Sequence, residues 1–89
     1  MLKPIFTSKF KKDYKRLNSQ GKELKKLEEV MVALQHQQPL AARYKDHQLY
    51  MNRAGRRECH IEPNWLLVYK IEGDTVVFER TGTHSDIFN

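Results

Sequence analysis

Cysteine is almost absent from this chain: Cys59 is the only one among 89 residues. One cysteine forms no internal disulfide and builds no cysteine-based zinc site alone. The core must therefore close by packing, which favours a cytoplasmic protein. Long apolar runs are missing too, none nearing the ~20 residues that span a bilayer. The start, MLKPIFTSKFKKDYK, is basic but has no apolar stretch of the secretory kind, so no membrane partner is expected. The four glycines, Gly21, Gly55, Gly73 and Gly82, stand apart. Without a glycine-rich phosphate loop, no nucleotide cofactor is implied. No repeat and no Pro/Gly/Ser linker divides the chain, so residues 1–89 read as a single domain.

What is present is one thin core's worth of apolar residues (39%) and an uneven charge. Residues 1–45 carry eleven basic and four acidic side chains, and residues 46–89 carry five and seven. The basic first half suits a polyanion such as nucleic acid, or is simply a solvated face. Lys9, Lys11, Lys12, Lys15, Arg16, Lys22, Lys25 and Lys26 make up that face.

Residues 3–6 read as an edge strand that tolerates Pro4. Thr7 or Ser8 can cap a helix in which Phe10, Tyr14 and Leu17 form one stripe. Asn18-Ser19-Gln20-Gly21 breaks that pattern. Leu24, Leu27, Met31 and Leu34 predict a second amphipathic helix over roughly residues 22–37, making a helical hairpin. Residues 40–54 read as irregular. Arg56–Ile61, Trp65–Ile71 and Thr75–Thr81 read as strands joined by turns at Glu62-Pro63-Asn64 and Glu72-Gly73-Asp74. The expected fold is α+β, in the order β-α-α-β-β-β, with the hairpin packed on a small, mainly antiparallel sheet.

Two-residue turns would place His60 opposite Leu67 and Leu67 opposite Arg80. His60 and Arg80 would then share a face, ~10 Å apart, a separation that admits a phosphodiester. A bulge would move one of them to the other face. His47, His60 and His84 lie in polar contexts in the second half, while His36 reads as surface. A histidine pair supplies base and acid near neutral pH, and RNA cleavage at a 2′-hydroxyl needs that pair plus a cation. Arg57 and Arg80 are candidate cations. A zinc site from His47, His60 and His84 is conceivable but lacks a tight i, i+4 pair. Trp65 and Phe88 either pack on the core or stack on a nucleobase. Cys59 reads as a buried small hydrophobe.

The strings YKDH (44–47), HIEPNWLLVYK (60–70) and FERTGTHSDIF (78–88) closely resemble the YafQ branch of the RelE/ParE toxin superfamily. The resemblance implies a RelE-like fold and a type II toxin: a ribosome-dependent mRNA endonuclease that cuts the codon in the A site. Its cleavage would need no metal, with the 2′-hydroxyl attacking in line to leave a 2′,3′-cyclic phosphate. The partners implied are the 70S ribosome, mRNA and a DinJ/RelB-like antitoxin, with operator DNA bound only through the antitoxin complex. By the same resemblance His47, His60, Arg80 and His84 are catalytic, while Trp65 and Phe88 are site residues. Asn64 stands where the YafQ type has aspartate, and asparagine exchanges no proton at neutral pH. With Arg57, Lys9 and Lys12 as further RNA contacts, these residues make up the expected site. Two other readings compete: a ParE-like gyrase poison, which generally lacks these histidines, and a non-catalytic RNA- or protein-binding module.

Overall fold

Thr7 starts the first helix as a capping residue should. Its Oγ1 accepts from the Phe10 amide at 3.0 Å and donates to the Glu79 carbonyl at 2.8 Å. In the computed structural model, which describes residues 1–49 and 55–88, this helix, α1, spans Ser8–Ser19. It buries Phe10, Asp13 and Leu17. The second helix, α2 (Leu24–Gln35), buries Leu27, Val30, Met31 and Leu34, and is shorter at both ends than the 22–37 expected.

Among the described residues the strands form one sheet in the order β1-β5-β4-β3-β2. These are β1 (Lys3–Phe6), β2 (His47–Gln48), β3 (Arg57–Glu62), β4 (Trp65–Glu72) and β5 (Thr75–Gly82). β1 runs parallel to β5, and the other pairings are antiparallel. The α+β expectation holds. Within the stretch read as irregular, Ala42–Tyr44 form a 3-10 turn and His47–Gln48 a short strand. Residues 50–54 of that stretch lie outside the described residues.

A last helix, α3 (His84–Phe88), was not expected. Its signal is in the sequence: Thr83 and Asp86 form a reciprocal capping box. The Thr83 amide donates to Asp86 Oδ2 at 2.9 Å, and the Asp86 amide donates to Thr83 Oγ1 at 3.1 Å.

The first five residues of β4, Trp65 to Tyr69, are buried on both faces, which is why they read as a continuous apolar run. Trp65, Leu67 and Tyr69 join Cys59, Ile61, Val76 and Phe78 under the two long helices. Leu66 and Val68 point the other way and meet Ile87 of α3, flanked by Leu49 and Phe88. At about 1.5–3 kcal/mol per buried large apolar side chain, this strand anchors both layers.

Both turns are of two residues, one shorter than the Glu62–Asn64 and Glu72–Asp74 stretches expected, since Glu62 pairs with Trp65 and Glu72 with Thr75. Each hairpin nevertheless carries a bulge. Ile61 is the extra residue in β3 and Glu79 in β5, so His60 faces Leu66 and Arg80 faces Val68. The expected His60–Leu67–Arg80 row is therefore replaced. One extra residue flips a strand's faces, and two flips cancel. His60 and Arg80 still share a face, now with Leu66 and Val68 between them.

Candidate active site

The register lines up four residues across the sheet. His47 pairs with Glu58, Glu58 with Val68, and Val68 with Arg80. Opposite residues in antiparallel pairs point to the same face, so His47, Glu58 and Arg80 emerge on the face away from the long helices. His60 follows Glu58 by two residues and joins them.

His47 is delivered by the YKDH segment. Lys45 adopts the left-handed conformation (φ 47°), which reverses the chain after the 3-10 turn. Asp46 is then tied down: it accepts from the Tyr69 hydroxyl at 2.6 Å and pairs with Arg57 at 3.3 Å. His47 itself stays exposed. Its Nδ1 lies 2.7 Å from the Lys45 carbonyl oxygen, which can only accept. In the neutral ring, Nδ1 therefore carries the hydrogen and Nε2 the lone pair.

His60 is half-buried beside it, with ring centroids 6.4 Å apart. Its Nε2 lies 3.7 Å from a Glu58 carboxylate oxygen, and its Nδ1 lies 3.4 Å from the Pro63 carbonyl. Both ring nitrogens thus face acceptor oxygens. The Glu58 side chain is only 5% exposed, so its carboxylate is shielded from water beneath the histidine. Beside His60 opens a cleft of about 290 Å³, lined by Arg43, Tyr44, Lys45 and Pro63 among others.

Arg80 is held by an acid. Its Nε donates to Asp13 Oδ2 at 2.7 Å, and its Nη2 donates to Asp13 Oδ1 at 3.2 Å and to the Asp86 carbonyl at 3.0 Å. Burial alone would raise the Asp13 pKa. Hydrogen bonds from Arg80, Arg16 and the Thr81 amide outweigh burial and hold it below the usual carboxylate value. His84 sits at the start of α3, its ring 4.8 Å from that of Phe88. Ile87 packs on Leu66 and Val68, which lays α3 over the same sheet face.

The remaining expected residues go elsewhere. Trp65 is 1% exposed, and its indole N–H donates to Thr81 Oγ1 at 3.0 Å. Its ring is closed to a nucleobase, so the stacking role gives way to the core role. Arg57 pairs in register with Tyr69 and lies on the helix side of the sheet, so it braces Asp46 instead of facing the site. Asn64 is exposed in the turn after Pro63. Lys9 and Lys12 are exposed on α1, one turn before Asp13 and Arg16. His47 and His60 adjoin, but no group of three or more His, Cys, Asp or Glu poised for a metal occurs among the described residues. Two acids were missed. Glu58 was legible, since strand alternation puts it on the face of His60. Asp13 was not, because it sits among lysines.

A family model described as a bacterial toxin of type II toxin-antitoxin systems, YafQ, matches residues 2–89. The chain belongs to the YafQ toxin family. An mRNA interferase toxin YafQ from Escherichia coli is 40% identical over 84 residues, covering 93% of this chain and 91% of that one. The fold agrees as well. YafQ in the E. coli DinJ–YafQ complex superposes with a TM-score of 0.92 at 38% identity, over all of both chains. A metal-bound toxin from Helicobacter pylori superposes with a TM-score of 0.94 at 43% identity, over 99% of this chain and all of that one. Against this YafQ background, the His47–Glu58–His60–Arg80 face is the candidate active site.

Proposed function

We propose that the chain is a ribosome-dependent endoribonuclease that cuts mRNA in the A site without a metal. What supports this reading is the single sheet face that holds two adjoining histidines, His47 and His60, and the oriented guanidinium of Arg80. His47 Nε2 takes the proton of the 2′-hydroxyl. The 2′-oxygen bonds to phosphorus and the bond from phosphorus to the 5′-oxygen breaks. His60 gives its proton to that leaving oxygen, so the products are a 2′,3′-cyclic phosphate and a 5′-hydroxyl. Arg80 meets the phosphorane charge with its Nη1 hydrogens. Glu58 orients His60 and balances its charge. His84 and Phe88 contact the RNA beside the scissile bond, and Lys9 and Lys12 meet backbone phosphates. The basic cleft beside His60 takes a flanking nucleotide.

Asn64 supplies no proton in this scheme, so cleavage proceeds with it. E. coli YafQ forms a complex with DinJ, and an antitoxin of that kind neutralises this chain and carries it to operator DNA. The setting is the cytoplasm, where ribosomes are found.

Primer extension on a reporter mRNA, with and without ribosomes, tests the reading. Transition metals would be chelated and magnesium retained for the ribosome. Cuts within codons that need ribosomes but no transition metal are expected. His47→Ala, His60→Ala, Arg80→Ala or His84→Ala should each abolish the cuts and the toxicity while antitoxin binding persists. Full killing by the Arg80 and His84 variants at normal expression would reject the assignment. Asn64→Asp should change the cutting rate by less than about tenfold.

A further inference from the structure

β1 pairs with β5 only as far as Phe6 and Phe78. Beyond that point the edge of β5 has no neighbouring strand among the described residues, and side chains of α1 replace one. Asp13 accepts from the Thr81 amide at 3.1 Å, and Arg16 Nη2 donates to the Thr81 carbonyl at 3.3 Å. The same carboxylate also takes Arg80 through two nitrogens and Arg16 Nη1 at 2.9 Å. Each Asp13 oxygen therefore accepts two hydrogen bonds, inside a residue that is 2% exposed.

Arg16 continues the chain of contacts. Its Nη2 reaches Asp86 Oδ2 at 3.3 Å, and Asp86 closes the capping box of the helix that carries His84. Its Nε is buried without a partner among the described residues, while both Nη atoms reach acceptors. Gly82 leaves the room for this: a Cβ there would lie 2.6 Å from Arg16 Nη2 and 2.9 Å from Asp86 Oδ2.

We infer that Asp13 is the positioning residue for Arg80, and that Arg16 extends the same clamp to α3. The inference rests on the mRNA-cleavage reading. A buried ion pair adds little net stability over apolar packing, so its contribution here is geometric. Asp13 takes Nε and Nη2, and the Asp86 carbonyl takes the other Nη2 hydrogen. Only Nη1 is left without a partner among the described residues, and the guanidinium plane is fixed. A paired arginine also meets the phosphate as an oriented donor, with its charge already balanced. Placement then controls the rate more than the affinity.

Asp13→Asn tests this, because it keeps the shape but loses the charge and one acceptor. Single-turnover cleavage of ribosome-bound mRNA should slow about 100-fold. The concentration giving half the maximal rate should stay within about threefold. Hydrogen exchange at Arg80 Nε–H, followed by NMR, should be slow in the wild type and fast in the variant. An Asp13→Asn chain that folds and cuts at the wild-type rate would overturn the inference. So would equal losses in rate and affinity, which mark a merely structural role. If the variant fails to fold, the wild type decides: exchange at Arg80 Nε–H as fast as in an exposed arginine overturns the clamp. A wild type that cuts no mRNA yet shows slow exchange would reject the functional reading, and the positioning role of Asp13 in cleavage with it, while leaving the clamp in place.

Discussion

The Tyr69 hydroxyl donates to Asp46 Oδ1 at 2.6 Å, joining the loop that delivers His47 to the central strand. Burial and the Asp46 charge both push the Tyr69 pKa upward, so the phenol stays a donor at any physiological pH. Tyr69→Phe removes one bond to a charged acceptor and leaves Arg57 to hold the loop. The variant should lose about 1.5–3 kcal/mol in urea denaturation. mRNA cleavage should fall about tenfold as His47 loosens. A wild-type rate would show that Arg57 alone holds the loop.

Asp13 makes acid stability readable. Its folded-state pKa lies below the ordinary value of 3.8, because the hydrogen bonds it accepts outweigh its burial. Asp86 is lowered as well, first by the Thr83 amide. A depressed carboxylate stabilises the fold fully above its unfolded pKa, and that contribution is lost as pH falls through the lower folded value. The urea midpoint should hold from pH 7 to about 5 and then fall steeply below about 4. Asp13→Asn should start lower and fall less over the acid range. An unchanged acid slope would mean that Asp13 does not carry the linkage.

Gly82 lies at φ 146°, where a side chain is strained, and its missing Cβ position is already occupied by Arg16 and Asp86. Gly82→Ala should destabilise by about 1–3 kcal/mol through this overpacking. It should also slow cleavage, because Arg16 and Asp86 must both shift. Thermal unfolding and single-turnover cleavage check the two effects separately.

Cys59 is fully buried, and burial, with Asp46 and Glu58 nearby, pushes its thiol up to about 12. A thiol reagent at pH 8 should leave the native chain unmodified and react at once in denaturant. Rapid labelling of the native chain would place Cys59 outside the core described.

Apolar spacing and turn residues were enough to place both long helices, the edge strand, the three longer strands and the two turns between them. Those features depend on local period and turn chemistry. The α3 capping box was also legible at Thr83 and Asp86, and so was the place of Glu58 beside His60. The two-residue β2 left no such trace, because its pairing with Arg57 and Glu58 sets it more than any pattern of its own.

Sequence alone determined which residue types were available for chemistry and which local elements would carry them. Tertiary structure decided which of them meet. Trp65 went to the core and Arg57 to the helix side because the register of β3 and β4 sorts their faces. Asp13 resembles any acid on a lysine-rich helix until the edge of β5 comes against it. Its partners, Arg80 and Thr81, lie 67 and 68 residues away. Local propensity carries no information across that distance; only the packing of α1 on the open end of β5 brings the carboxylate to the arginine.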